Sequence, residues 1–240
     1  NGALDKSRVF DLAFKMNKKV MMTWVGTDVI KAKRLNKINQ TYLKKAHHYC
    51  EVDWIKKELT ELKINAQVLN FFNFEKEFKV TFPVSEGKLK VLSYISKGRE
   101  EYYGWNEILN ASNEFPNVEF VIVGTDRNEG VPANLKCLGW VEDMGPLFEE
   151  CHCTIRFVEH DGLSGFVLES LFRGKHVIYS EPLDYCLNVR SSKDVNNEIR
   201  SLELMLKEGS LKVNMAGHDF VQKNFNRKAI LTRLIKEMKK

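Results

Sequence analysis

Apolar residues in this chain fall into short runs rich in valine, isoleucine and aromatic side chains, separated by longer stretches where they recur every three or four positions. That alternation predicts parallel α/β layers, with helices covering a sheet. Lys6 to Met16 has helical spacing, and "KVMMTWVG" reads as a buried strand. A basic helix is expected from about Leu35 to Lys45, then a strand at "HHYC", a helix at "VDWIKKELTELK" and a strand at "AQVLNF". Around "FFNFEKEFKV" aromatic and charged residues mix with neither period, which predicts a break between two units.

From Leu89 the pattern is cleaner. Strand "LKVLSYI" leads through the turn "SKGREEYYG" to helix "WNEILNASNEF", then strand "VEFVIVG", strand "LKCLGW", helix "MGPLFEEC", strand "CTIRFV", helix "FVLESLFRG" and strand "HVIYS". Three amphipathic segments follow, about Asp194 to Lys207, Leu211 to Phe225 and Arg227 to Lys239. We expect domains over 1–80 and 81–225, with 226–240 a last helix crossing back to the first. The second holds a complete doubly wound core of about 145 residues. The first opens on a helix with only three strands, so it is expected to be incomplete or reduced.

Composition narrows the class. The 240 residues are 43% hydrophobic, enough for real cores, and no apolar run reaches the roughly 18 residues of a spanning helix. Five cysteines, an odd and scattered set, argue against a disulfide framework and for a reducing, cytoplasmic setting. "CHCTIRFV" reads as alternating buried strand residues and not as a metal site, because no second ligand pair follows at finger spacing. The net charge of +5 comes from lysine runs such as "KMNKK", "KAKRLNK" and "KEMKK". These lack the interleaved aromatics of a single-strand nucleic-acid groove and are by default solvated helix faces. Attraction to an anionic membrane surface at the inner face stays open.

Three loops fall at the carboxyl ends of strands, where open parallel sheets bind ligands. In "SKGREEYYG", Gly98 permits a tight turn, while Lys97 and Arg99 are cations suited to phosphate; the plain alternative pairs them with Glu100 and Glu101. In "CLGWVEDMG", Gly139, Trp140 and Val141 can present backbone groups and an apolar wall to a flat base. The equal alternative is a tryptophan closing the core beside a helix cap at Asp143. In "HDGLSGFVLES", Gly162, Leu163, Ser164, Gly165 and Phe166 lead into a helix whose free N–H groups attract an anion. Glu169 shares a face with Gly165. A carboxylate beside bound phosphate is tolerated only if it meets hydroxyls, so Glu169 suits a ribose and Asp161 a sugar.

"DGLSGFVLESLFRGKHVI" resembles the donor-binding signature of retaining GT-B glycosyltransferases, particularly the family-four group, in which two acids eight positions apart precede "A-x-G-x-P-V". Asp161 stands in place of the usual first glutamate, Glu169 matches the second, and Gly174 with Val177 continues the pattern. "GREEYYGWNEIL", "VEFVIVG" and "LGWVEDM" are similar to neighbouring donor-domain segments. Arg99 matches the first member of the family's Arg and Lys diphosphate clamp, but Tyr102 or Tyr103 occupies the position near Gly104 where the lysine is expected; Lys97 is the candidate substitute. "TWVGTDVI" looks like an acceptor-side segment, carrying Gly26, Thr27 and Asp28, with Thr23 where histidine is usual.

The resemblance implies a GT-B-like fold of two Rossmann-like domains and a metal-independent transfer, with retention, from a nucleotide-diphosphate sugar to a glycan or lipid-linked acceptor. The sugar nucleotide is substrate, and neither cofactor nor metal is implied. Arg99 and Lys97 would stabilise the leaving diphosphate, Asp161 orient the sugar and Glu169 hold the ribose. The main alternative is a non-catalytic nucleotide-sugar-binding remnant or partner subunit. The glycine motifs of dinucleotide dehydrogenases and P-loop enzymes are missing from the sequence.

Overall fold

The computed structural model describes residues 7–35, 38–75, 77–83 and 87–239. The chain divides into two compact units, one of 1–73, 160–163 and 227–240, the other of 74–159 and 164–226.

Unit 1 starts with α1 (Arg8–Lys15), β1 (Met21–Trp24), α2 (Gly26–Leu35), α3 (Gln40–Lys45), β2 (His47–Cys50), α4 (Asp53–Glu61) and β3 (Ala66–Val68). Its parallel strands lie in the order β1-β2-β3, with Met22 opposite His48 and His48 opposite Ala66. Trp24, Val29, Tyr42, Ile55 and Leu59 form the centre of its core, each no more than 1% exposed. Burying the Trp24 indole requires a partner for its N–H, and Nε1 donates to His48 Nδ1 at 3.0 Å. That bond fixes the His48 tautomer, whose Nε2–H lies 3.0 Å from the Leu43 carbonyl.

The single basic helix expected over 35–45 is instead two elements. "GTDVIKAKRL" is helical because Val29 and Ala32 share one buried face, and Asn39 starts the second helix by accepting from the Thr41 and Tyr42 amides. Residues 36 and 37 of that expectation, and Lys6 of the first helix, lie outside the described residues.

Unit 2 contains β4 (Lys90–Tyr94), α5 (Trp105–Glu114), β5 (Glu119–Val123), β6 (Leu135–Cys137), α6 (Gly145–Glu150), β7 (Cys153–Arg156), α7 (Gly165–Phe172), β8 (His176–Tyr179), β9 (Leu187–Asn188), α8 (Ser192–Lys207) and α9 (Met215–Asn224). All its strands are parallel in the order β6-β5-β4-β7-β8-β9. The order reverses between β4 and β7, where Val91 faces Cys153 and Ser93 faces Ile155. A crevice opens at the carboxyl ends of strands on either side of such a reversal.

"CHC" does not alternate. Cys151 caps the C-terminus of α6, Cys153 starts β7, and all four residues of β7 are buried, because a central parallel strand is covered on both faces. Burial pushes the thiols up, Cys50 and Cys137 to about 11 and Cys151 to about 12. All five cysteines are free thiols. The last helix, α10 (Arg227–Met238), belongs to unit 1, where Lys19 Nζ donates to the Glu237 carbonyl at 3.2 Å.

Candidate functional site

A cavity of about 260 Å³ lies in unit 2 at the carboxyl ends of β4 and β5. Tyr94, Val123 and Gly124 come from the strand ends, Trp140, Val141 and Met144 from the loop after β6, and Phe148, Phe166 and Glu169 from α6 and α7. It is an apolar slot with one carboxylate, a shape suited to a flat ring bearing hydroxyls. A larger hollow of about 540 Å³, lined by Lys88, Asn113, Pro132 and Asn134, lies at the opposite strand ends, where open parallel sheets do not place their ligands.

Trp140 is 79% exposed, so it does not close the core. Asp143 accepts from the Gly145 amide at 2.9 Å at the entry to α6, with Met144 in the cap position. Gly139 has φ +71°. Its N–H donates to the Thr125 carbonyl at 2.9 Å, while its own carbonyl accepts from Gly124 N at 2.7 Å. Gly139 therefore ties the loops after β5 and β6 together.

In the loop after β4 neither cation pairs with Glu100 or Glu101. Lys97 Nζ meets Asp126 Oδ2 at 2.8 Å on the surface, a contact that raises the lysine and lowers the aspartate. The Arg99 guanidinium is exposed and stacks 4.3 Å from the Tyr102 ring and 5.3 Å from that of Tyr103. Glu100 is held below the usual carboxylate range by the Gly98 amide and then its own amide, and it accepts from Thr125 Oγ1 at 2.9 Å. The Gly98 amide thus already faces an anion. Gly104 has φ +76°, and a Cβ there would stand 2.5 Å from the Phe157 carbonyl oxygen.

Ser164 caps α7 by accepting from the Val167 amide at 3.4 Å. The amides of Gly165 and Phe166 have no acceptor among the described residues. Glu169 lines the cavity and is bonded to Arg173, whose Nε lies 2.9 Å from Oε1.

Residues 160–163 belong to unit 1 and close onto Gly26. A Cβ on Gly26 would meet Gly162 N at 2.8 Å and Asp161 C at 3.1 Å. Trp54 Nε1 donates to the Asp161 carbonyl at 2.9 Å, and His160 Nε2 meets Glu58 Oε2 at 2.8 Å. Asp161 and Gly162 are thereby brought beside Gly26, and Asp28 accepts from the Val25 amide at 3.4 Å, while Thr27 is exposed. Leu163 donates its amide to Glu51 Oε2 at 3.4 Å. Burial raises the Glu51 carboxyl despite that bond, and Asp161 and Asp28 add to the rise.

Sequence reasoning missed Glu51, for which the chain offers no local signal, and Arg173, for which the four-residue spacing to Glu169 was a signal. Among the described residues no three His, Cys, Asp or Glu side chains converge as metal ligands do, and no helix is long and apolar enough to cross a membrane.

No family model and no curated protein matches the chain. Solved structures do. A glycosyltransferase from Rickettsia africae aligns with TM-score 0.72 at 14% identity, over 97% of this chain and 74% of that one. Anabaena HepE, in complex with UDP-glucose, aligns with TM-score 0.69 at 11% identity, over 95% and 74%. Sucrose-phosphate synthase from Thermosynechococcus elongatus gives 0.72 at 12% identity, over 96% and 70%. With its two parallel sheets of three and six strands, the chain has the fold of the GT-B glycosyltransferases.

Proposed function

We propose that the chain transfers a sugar from a nucleotide-diphosphate donor to an acceptor, with retention and without a metal ion. The supporting observation is the apolar cavity with Glu169 on its wall, at the strand ends where a doubly wound sheet binds ligands. The base takes the slot beside Trp140, and Glu169 takes a ribose hydroxyl. The open amides of Gly165 and Phe166, with the α7 dipole, suit the leaving diphosphate, whose charge grows as the glycosidic bond breaks. Arg99 is the cation we assign to it. Lys97 is the weaker candidate because Asp126 already neutralises it. Asp161 is assigned to sugar hydroxyls.

The acceptor we propose is glycan or lipid-linked and presented at an anionic surface. Val9 and Leu12 of α1 and its capping Met16 form an exposed apolar stripe, with Arg8 and Lys15 on the same helix, an arrangement suited to an interface.

The test begins with melting in UDP, GDP and ADP. A ligand of the native state at about a hundred times its Kd adds about 2.7 kcal/mol. Stabilisation by at least one of them, with donor hydrolysis or transfer lost in Glu169→Ala, supports the transferase. No stabilisation by any removes the donor site, while binding without turnover supports the non-catalytic alternative.

A further inference from the structure

Glu169 lines the cavity, yet one of its carboxylate oxygens is already engaged. Arg173, one helical turn on, sets Nε 2.9 Å and Nη2 2.8 Å from the same atom, Oε1. Nε donates a hydrogen bond to that oxygen and Nη2 adds a charged contact, so Arg173 holds it from two sides. Among the described residues Oε2 has no hydrogen-bond partner.

Arg173 has little room to move. Its side chain is 11% exposed, and its guanidinium carbon lies 4.3 Å from the Phe78 ring centre and 5.0 Å from that of Phe148. Phe148 is itself 1% exposed and lines the same cavity. An ordinary four-residue ion pair on a helix surface exchanges freely with water. This one is backed by two aromatic rings, so the carboxylate is oriented from behind and presents Oε2.

We infer that Arg173 is a positioning residue that makes Glu169 a one-oxygen acceptor, so that the site distinguishes one ribose hydroxyl from its neighbour. The inference rests on the donor-site reading above. A carboxylate with both oxygens open grips a vicinal diol with one hydroxyl on each, and loss of either hydroxyl costs it similarly. With Oε1 filled by Arg173, one hydroxyl takes Oε2 and the other carries little of the binding.

Calorimetry with UDP, GDP and ADP, followed by the 2′-deoxy and 3′-deoxy forms of the tightest binder, tests this. In the native chain one deoxy form should bind about tenfold or more weaker than the parent and the other within about threefold, the range of a hydrogen bond to a charged group. Arg173→Met keeps an apolar stem between the rings and releases Oε1, so the ratio between the two deoxy forms should fall towards one. Arg173→Lys, with a single ammonium, should give an intermediate ratio, and it carries the comparison if Arg173→Met does not fold. Equal penalties for the two deoxy forms in the native chain, or an unchanged ratio in a folded Arg173 variant, overturn the inference while leaving the donor site standing. Failure of all three diphosphates to bind overturns both.

Discussion

Gly26→Ala sets two opposing effects against each other. Alanine is the better helix former, and at the first residue of α2 it would add at most about 1 kcal/mol. Against this, the new Cβ would stand 2.8 Å from Gly162 N, 3.1 Å from Asp161 C and 3.2 Å from His160 Nδ1. Two of these are backbone atoms, which cannot rotate aside, so the segment 160–163 has to move. Overpacking of this kind costs about 1–3 kcal/mol. The shift also stretches the Trp54 to Asp161 bond of 2.9 Å and the His160 to Glu58 contact of 2.8 Å, each a net contribution of about 1 kcal/mol.

Packing therefore outweighs propensity, and Gly26→Ala should be destabilised by about 1–3 kcal/mol. Urea unfolding followed by tryptophan fluorescence should show a lower midpoint at unchanged slope. Amide exchange at Gly162 and Leu163 should quicken as well. Thr27→Ala, on an exposed neighbour, is the control and should stay within about 0.5 kcal/mol. A Gly26→Ala chain as stable as the native one, with unchanged exchange at Gly162, would refute the close approach as a constraint.

Acid should weaken the fold through its histidines. Burial lowers His152 to about 4 from the ordinary histidine value of 6.5, and His48 and His176 shift in the same direction. Because the folded value is depressed, stability is fully present above about 6.5 and is lost as pH falls towards 4. For His152 this reaches at most about 3 kcal/mol; a His152→Asn chain should melt with a flatter dependence between these limits, and an identical slope would count against the assignment. Trp140→Ala should leave the melting temperature alone, since the ring is 79% exposed. It should weaken nucleoside diphosphate binding about tenfold, the scale of one base stacked on an aromatic ring; unchanged affinity would move the base elsewhere. Lys175 is fully buried, with Nζ 2.6 Å from the Thr81 carbonyl and 2.9 Å from that of Cys151. Lys175→Ala loses stem packing as well as both bonds and should cost about 3 kcal/mol, while Lys175→Met, which keeps the stem and removes a desolvated charge, should cost less in the same urea titration.

The sheet of unit 2 was readable because its central strands are covered on both faces and so appear as nearly continuous apolar runs, as in "VLSYI", broken only by Ser93, and "FVIV". β9 escaped notice because two residues, Leu187 and Asn188, carry no period. α2 was displaced in the sequence reading because only Gly26, Val29 and Ala32 are buried, and none is large enough to dominate a window crowded with lysines. Strand-end loops could be located from their glycines and charges, but not the partners of those charges. Lys97 finds Asp126 29 positions away, and Glu51 meets Leu163 across 112. Such pairings follow from strand order and loop path, which no local pattern encodes. Glu169 with Arg173 is the local exception.

Unit 1 is assembled from three stretches of chain, 1–73, 160–163 and 227–240. A ribosome that has just completed residue 73 has therefore not yet made α10, whose Ile230 is 1% exposed. About 150 further residues, roughly 8–30 s of synthesis at ~5–20 residues per second, must emerge first. Unit 2 needs no segment later than 226 and can close before unit 1 does. During translation unit 1 thus receives its last helix only after every residue of unit 2 has been made.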